Sequence, residues 1–299
     1  MSIDHLICCL QNTKVKRLVA LQKKSSERRH QGVFVVERRR EITHCMHAGY
    51  QMVALYYCPE IYNDVESDTA EEDVVSLLMD NHHPEAPSVF ELTREVYEKV
   101  SYRSGTEGVV AEVRMPQRTL EDLSLGDSPL LMIVESVEKP GNLGAILRSA
   151  DAAAATAVIC CDPLTDLYNP NIIRSSIGAV FSVPTVSCSS EECIAFLKDK
   201  GIRILTAQLQ DSYLYYDTDM RGATALVMGT EATGLTEVWR QAADAHIRIP
   251  MLGALDSLNV SVSAAILLFE AVRQRSKEQG ARSKGQGARS KGQGARGKE

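Results

Sequence analysis

From residue 130 onward the sequence alternates between short apolar, β-branched runs and longer amphipathic ones, and few folds accept that rhythm. LLMIVESV (130–137), AVICCD (157–162), RILTAQL (203–209), ATALVMG (223–229) and HIRIPM (246–251) read as strands. GNLGAILRSADAAA (141–154), EECIAFLKDKG (191–201) and SVSAAILLFEAVRQR (261–275) read as helices, and 169–184 as a helix followed by a short strand. Continuous apolar strands separated by helices predict an α/β domain with a parallel sheet covered on both faces. In such sheets ligands bind beyond the C-terminal ends of the strands. Three loops rich in Gly, Asn, Ser and Thr fall at that edge.

The first hundred residues have a different texture. Residues 11–27 carry Val15, Leu18, Val19 and Leu21 among basic residues and predict an amphipathic helix. GVFVVE (32–37), QMVALYYCPE (51–60) and TEGVVAEVRMP (106–116) predict strands, REITHCMHAG (40–49) a helix, and 61–95 an alternation of acidic loop and helix. This describes a small α/β domain over 1–117, a turn-rich linker at 118–127, and a second domain over 128–275. Residues 276–299 repeat GARSKGQ at 280–286 and 287–293 with no recurring apolar position. That composition predicts a disordered basic tail with a loose attraction for phosphates.

The net charge of -6 conceals its distribution. Between Lys14 and Arg40 stand ten Lys or Arg (Lys14, Lys16, Arg17, Lys23, Lys24, Arg28, Arg29, Arg38, Arg39, Arg40) against two Glu. Segregated basic segments on an otherwise acidic chain suit a polyanion partner; a solvated face is the alternative for this segment and the better reading for the basic tail. No apolar run reaches the roughly 18–20 residues of a bilayer span. The opening MSIDHLICCLQNTK has no basic residue ahead of its apolar patch, so a cytoplasmic protein is expected. The eight cysteines include no Cys-x-x-Cys and no zinc-ligand spacing, so buried reduced thiols and no metal are expected.

Three segments carry polar chemistry. Pro140-Gly141-Asn142-Leu143-Gly144 opens a helix that bears Arg148, six residues past Asn142; alone it reads as an anion loop or as a plain strand–helix turn. Gly229-Thr230-Glu231-Ala232-Thr233-Gly234-Leu235 follows an apolar strand; alone, Thr230 could cap a helix and Glu231 favour its N-terminus. IPMLGALDSLNVSVS (249–263) brings Ser257 and Asn259 to a third loop. The G-x-G-x-x-G of dinucleotide oxidoreductases is missing, no Ser-His-Asp set can be assembled, and the seven histidines lie outside these loops.

In that order, N-x-G-x-x-x-R, G-x-E-x-x-G-L and IPM-x-G-x-x-x-SLNVSV resemble the three motifs of the SpoU (TrmH-like) family of RNA ribose 2′-O-methyltransferases, in the SPOUT superfamily. The stretch KVKRLVALQKKSSERRHQGVFVVERRREI resembles the ribosomal-protein-like RNA-binding domain that often precedes them. The family often has a glycine after the Val-Glu of that strand; here Arg38 stands there.

The resemblance implies a C-terminal domain tied in a deep trefoil knot, S-adenosylmethionine as cofactor, and a homodimer. It implies Gly229, Ile249 and Leu258 as cofactor contacts, with Gln208, Met228, Gly234 and Met251 as neighbours. Arg148 would act in catalysis, supported by Asn142, Glu231, Ser257 and Asn259, with the last two contributed by the partner subunit. The ten basic residues of 14–40 would hold the RNA, ribosomal RNA before transfer RNA. A non-catalytic RNA-binding protein with a relic pocket is the reading from a different class.

Overall fold

The computed structural model describes residues 5–64, 73–79, 86–103, 107–230, 233–254 and 257–293, with the side chains of 5, 77–79 and 278–293 left aside. The chain forms two compact units. The first comprises 1–118, 139–148 and 164–182, and the second 119–138, 149–163 and 183–299.

The first unit opens with β1 (His5–Ile7), α1 (Thr13–Lys23), α2 (Ser25–Gln31), β2 (Val33–Glu37), α3 (Arg39–His47) and β3 (Met52–Tyr57). It continues with α4 (Pro59–Tyr62), α5 (Val74–Met79), β4 (Ser88–Leu92), α6 (Arg94–Val100) and β5 (Val109–Arg114). The sheet order is β1-β4-β3-β5-β2, with β5 antiparallel to both neighbours and the other pairs parallel. The Asn12 carboxamide accepts the Lys14 amide at 2.8 Å and starts α1, whose Val15, Leu18 and Leu21 are buried in the core. The expected helix over 11–27 is therefore two helices, broken where Lys24 is extended (φ -120).

Strand β4 corrects the expectation of acidic loop and helix over 61–95, and β1, which no sequence signal marked, pairs with it. SVFEL is too short to carry a periodic signal, and its partners β1 and β3 come from distant parts of the chain. Arg38 takes φ 75 and ψ 144, a conformation natural to glycine and strained by about 1–3 kcal/mol in other residues.

From the middle of the chain come β6 (Leu130–Glu135), α7 (Pro140–Ala152), β7 (Ala157–Cys161), α8 (Pro170–Ser176), α9 (Ala179–Ser182) and β8 (Thr185–Cys188). The short strand expected before Pro184 lies after it, since proline has no N–H to give a ladder. Residues 164–182 pack within the first unit: Tyr168 and Phe181 stack on Phe34 of β2 at centroid distances of 4.3 and 6.0 Å. Beside them Arg28 Nε donates to Asp166 at 2.5 Å while its Nη1 donates to the Leu21 and Gln22 carbonyls. Both side chains are buried, at 3% and 7% exposure. Asp166→Ala strands a buried guanidinium and is expected to destabilise the protein by about 3–5 kcal/mol; the midpoint of denaturant unfolding measures it.

The second unit continues with α10 (Ser190–Asp199), β9 (Arg203–Ala207), β10 (Tyr213–Leu214), β11 (Thr224–Met228), α11 (Glu237–Ala242), β12 (Ala245–Arg248) and α12 (Val260–Gln293). Its sheet runs β10-β12-β9-β11-β6-β7-β8, and every pairing is parallel, as the alternating pattern predicts. Leu120, Leu123 and Leu125, in the stretch expected to be a linker, pack against the unit's core. The backbone of α12 continues to Gln293, through the repeat for which composition predicts disorder. Ala, Arg, Lys and Gln sustain a helix already nucleated upstream, against about 1 kcal/mol for each glycine. Among the described residues no helix is long and apolar enough to cross a membrane.

Candidate active site

Strands β12, β9 and β11 are neighbours, and the chain leaves all three at their C-terminal ends. The loops that follow enclose a pocket of about 460 Å³, a size suited to a nucleoside-sized ligand. Gln208 follows β9, Met228 and Gly229 end β11, and Ile249 and Met251 follow β12. Gly234 closes the second loop, and Leu258 stands just before α12. The three residues expected as cofactor contacts and the four expected as their neighbours all line this one pocket.

The loop after β11 has a strict steric requirement. A Cβ on Gly229 would run into the Gly234 carbonyl group and the Leu235 amide. That close approach is held by reciprocal hydrogen bonds between the Thr230 and Gly234 backbones, at 3.2 and 3.1 Å. The Thr230 hydroxyl also accepts the Thr233 amide at 3.0 Å, and Gly234 sits at φ 68. Helix α11 starts only at Glu237, so the helix-cap reading of Thr230 is overturned: its hydroxyl closes a turn. Glu231 lies outside the described residues. Buried Glu135, at the end of β6, anchors the far side of the loop by accepting the Thr236 amide at 2.9 Å and hydroxyl at 2.6 Å.

The pocket wall leaves one polar group unpaired. Gln208 Nε2 donates to the Gln210 carbonyl at 3.0 Å, while its Oε1 is buried without a hydrogen-bond partner. A buried orphan acceptor costs about 1–3 kcal/mol unless a ligand donor meets it. The opposite character comes from Leu235, Ile247, Ile249 and Leu258, which give an apolar surface. Sequence reasoning missed Arg240, Arg248, Thr230 and Ser263, which also line the pocket. Arg248 could have been noticed as the residue preceding the Ile-Pro-Met run; its guanidinium donates to the Ser212 carbonyl and holds the β9–β10 loop.

Of the residues expected in catalysis, Ser257 lines the pocket. Asn259 acts locally on the backbone, where its Oδ1 accepts the Ser261 amide at 2.9 Å and hydroxyl at 2.6 Å and so caps α12. Asn142 and Arg148 lie on α7, Asn142 half-buried in its first turn and Arg148 exposed in its third. In the same unit, a Cβ on Gly144 would strike the Ser175 side chain, so α7 and α8 touch there without clearance.

The model of the SpoU rRNA methylase family matches residues 129–269, and that of the MRM3-like substrate-binding domain matches 12–111. A 23S rRNA (guanosine-2′-O-)-methyltransferase, RlmB of Vibrio vulnificus, is 36% identical over 199 residues, covering 64% of this chain and 80% of that protein. The chain belongs to the SpoU rRNA methylase family. It is an RNA 2′-O-methyltransferase with S-adenosylmethionine as its cofactor. The crystal structure of an RNA 2′-O ribose methyltransferase superposes with a TM-score of 0.72 at 35% identity, covering 90% of this chain and 99% of that one. An AdoMet-bound rRNA methyltransferase from Sinorhizobium meliloti gives a TM-score of 0.79 at 27% identity, covering 90% and 97%.

The pocket fits this cofactor. S-adenosylmethionine carries N–H donors on its adenine and its α-amine, the kind of group that the orphan Gln208 oxygen would accept. Gly229, bare of a side chain, lets the Gly234–Leu235 backbone close on it and so shapes this wall of the pocket.

The basic residues of 14–40 divide into two sets. Lys16, Lys23, Lys24, Arg29 and Arg40 are exposed, and Lys14, Arg17 and Arg38 half-buried. Arg28 and Arg39 depart from the expectation of RNA contacts, because both are buried. Arg28 is spent on Asp166 and on carbonyls, and Arg39 donates to the Tyr62 carbonyl and stacks 3.7 Å from the Tyr62 ring centroid.

Proposed function

We propose that this protein methylates a ribose 2′-hydroxyl in ribosomal RNA. The convergence on one pocket of all seven residues expected around the cofactor, with its close Gly229–Gly234 approach and unpaired Gln208 oxygen, carries the reading. The relatives' named substrate, 23S rRNA, supports ribosomal RNA over transfer RNA.

In this reading Gly229, Ile249 and Leu258 hold the cofactor through backbone, with Gln208, Met228, Gly234 and Met251 around them. The bound sulfonium supplies an electrophilic methyl group, so the protein has to orient the hydroxyl and stabilise its developing negative charge. Arg148 performs the second part. Guanidinium does not deprotonate in proteins, so it acts as a clamp on the RNA phosphate and the forming alkoxide, and the proton leaves to phosphate or water. Asn142, Glu231 and Ser257 position the clamp and the ribose. Asn259, by capping α12, fixes the chain that presents Ser257 and Leu258.

Lys16, Lys23, Lys24, Arg29 and Arg40, with Lys14, Arg17 and Arg38, supply the charge that meets the RNA backbone. The homodimer and the knotted threading belong to the same proposal. Exposed Val262 and Phe269, seven residues apart on α12, give the helix an apolar stripe suited to a second copy. A cytoplasmic setting completes it.

Transfer of a labelled methyl group from S-adenosylmethionine to ribosomal and transfer RNA, followed by alkaline hydrolysis, tests the proposal. Label is expected in ribosomal RNA, at one linkage made resistant to alkali by the blocked 2′-oxygen. Label confined to transfer RNA, or carried on a base, overturns it.

A further inference from the structure

Eight cysteines spaced without a metal-binding pattern gave no reason to expect a metal, yet the fold of the second unit gathers three of them. Cys161 ends β7 and Cys188 ends β8, and the two are register partners on adjacent parallel strands, so their side chains leave the same face of the sheet. Cys193 lies in the first turns of α10, which packs against β7. The three sulfurs all lie within 4.8 Å of one another. Cys161 and Cys193 are fully buried and Cys188 is half-buried, so the group is enclosed by core on one side and reachable on the other.

Packing alone accounts for Cys45 and Cys58, which are buried in the first unit and join no such group. Cys161 and Cys193 also belong to the second unit's apolar core, with Cys188 packed against it, but burial alone does not require their three sulfurs to converge from two strands and a helix. Thiolates around one zinc ion at about 2.3 Å stand roughly 3.8 Å apart, so side-chain adjustments of under about 1 Å would close the group on an ion. Bound as thiolates to a divalent ion, the three carry a net negative charge. Cys188 directly precedes the Ser189 cap of α10, whose first amides are already met by the Asp162 carboxylate and the Ser189 hydroxyl, so neutralising the thiolates falls to the ion itself and to a neutral or cationic fourth ligand.

We propose that Cys161, Cys188 and Cys193 form a three-thiolate site for a thiophilic d10 cation, zinc(II) in the first instance. The fourth position opens beside Cys188 to solvent or to an added ligand. Binding replaces three S–H protons by one ion with no change of oxidation state, and it pins β7, β8 and α10 together. The site is separate from the methyl-transfer pocket and does not depend on how that pocket is read.

The test uses the reduced full-length chain, metal-stripped, in a Cys8→Ser/Cys9→Ser background that removes the two exposed thiols. Titration with cobalt(II) is expected to develop thiolate-to-cobalt charge-transfer absorbance that saturates at one equivalent, and zinc(II) should abolish it. Cys188→Ser should weaken uptake by at least roughly tenfold, given that even outer-shell partners of a metal are worth that much. It should also remove the rise in Tm that zinc gives the parent. Cys160→Ala, one residue along β7 and so on the other face of the sheet, should leave the titration unchanged. Because Cys188 is half-buried, its variants should keep the fold, which circular dichroism without metal verifies, with Cys188→Ala as a second variant. Absence of stoichiometric uptake by the parent overturns the proposal, as does uptake preserved in both Cys188 variants. Oxidation to a disulfide without metal uptake also overturns it and assigns a redox pair instead.

Discussion

Replacing Arg148 with alanine is expected to lower kcat for ribose methylation by roughly 100- to 1,000-fold, the usual effect of removing one preorganised donor to a developing oxyanion. Affinity for S-adenosylmethionine should stay within about twofold, because the pocket that would hold it is built wholly from 207–263. Thermal stability should change little, since Arg148 is exposed on α7 and surface substitutions usually cost under about 0.5 kcal/mol. Single-turnover kinetics with saturating RNA separates this outcome from a binding defect. A variant that transfers methyl at the wild-type rate would remove Arg148 from the mechanism. Arg148→Lys sharpens the test: a point charge cannot reproduce a planar fork that spans phosphate and alkoxide, so lysine should restore little of the rate.

The second large effect belongs to Gly229. A methyl group there meets backbone, the Gly234 carbonyl group and the Leu235 amide, and neither can yield as a side-chain tip would. The Thr230–Gly234 hydrogen bonds must then lengthen or break, moving the loop by about an ångström, a displacement that can cost a site roughly 100-fold. Gly229→Ala is therefore expected to raise the Kd for S-adenosylmethionine about that much, read by calorimetry. Gly234→Ala is the control for conformational strain. It has φ 68 and open space around its Cβ direction, so its cost is about 1–2 kcal/mol of left-handed strain, with an affinity loss nearer tenfold. Equal losses in the two variants would mean that steric closeness at Gly229 is not what shapes the pocket.

The pocket beyond β9, β11 and β12 was unusually legible from sequence because its residues are few, local and tied to strand ends. Each of Gln208, Met228, Gly229, Ile249 and Met251 stands at or just past the last residue of a strand whose apolar run marks it. A parallel sheet sends those ends to one edge, so locating the strands locates the pocket. Strands β1 and β4 failed the same logic. They have three and five residues, and β1 is a strand only because β4 lies beside it. The loop at 230–236 was ambiguous for a related reason, since a Thr and a Glu near a helix start fit a cap as well as a turn, and only the Gly229–Gly234 contact decides between them. Arg28 and Arg39 misled in the other direction. Ten basic residues in one segment look like a single surface, but burial depends on which face of α2 and α3 each one occupies and on Asp166, well over a hundred positions away.

Taken alone, the sequence determined the α/β architecture, the parallel second sheet, the family and the seven pocket residues. These rest on periodicity and on motifs whose members act close to where they stand in the chain. The tertiary structure alone decided which arginines remain free to meet RNA, that 164–182 belongs to the first compact unit, and that Cys161, Cys188 and Cys193 share one spot. Each of those outcomes depends on contacts between residues far apart in sequence, and such contacts exist only after the sheets have set which strands are neighbours.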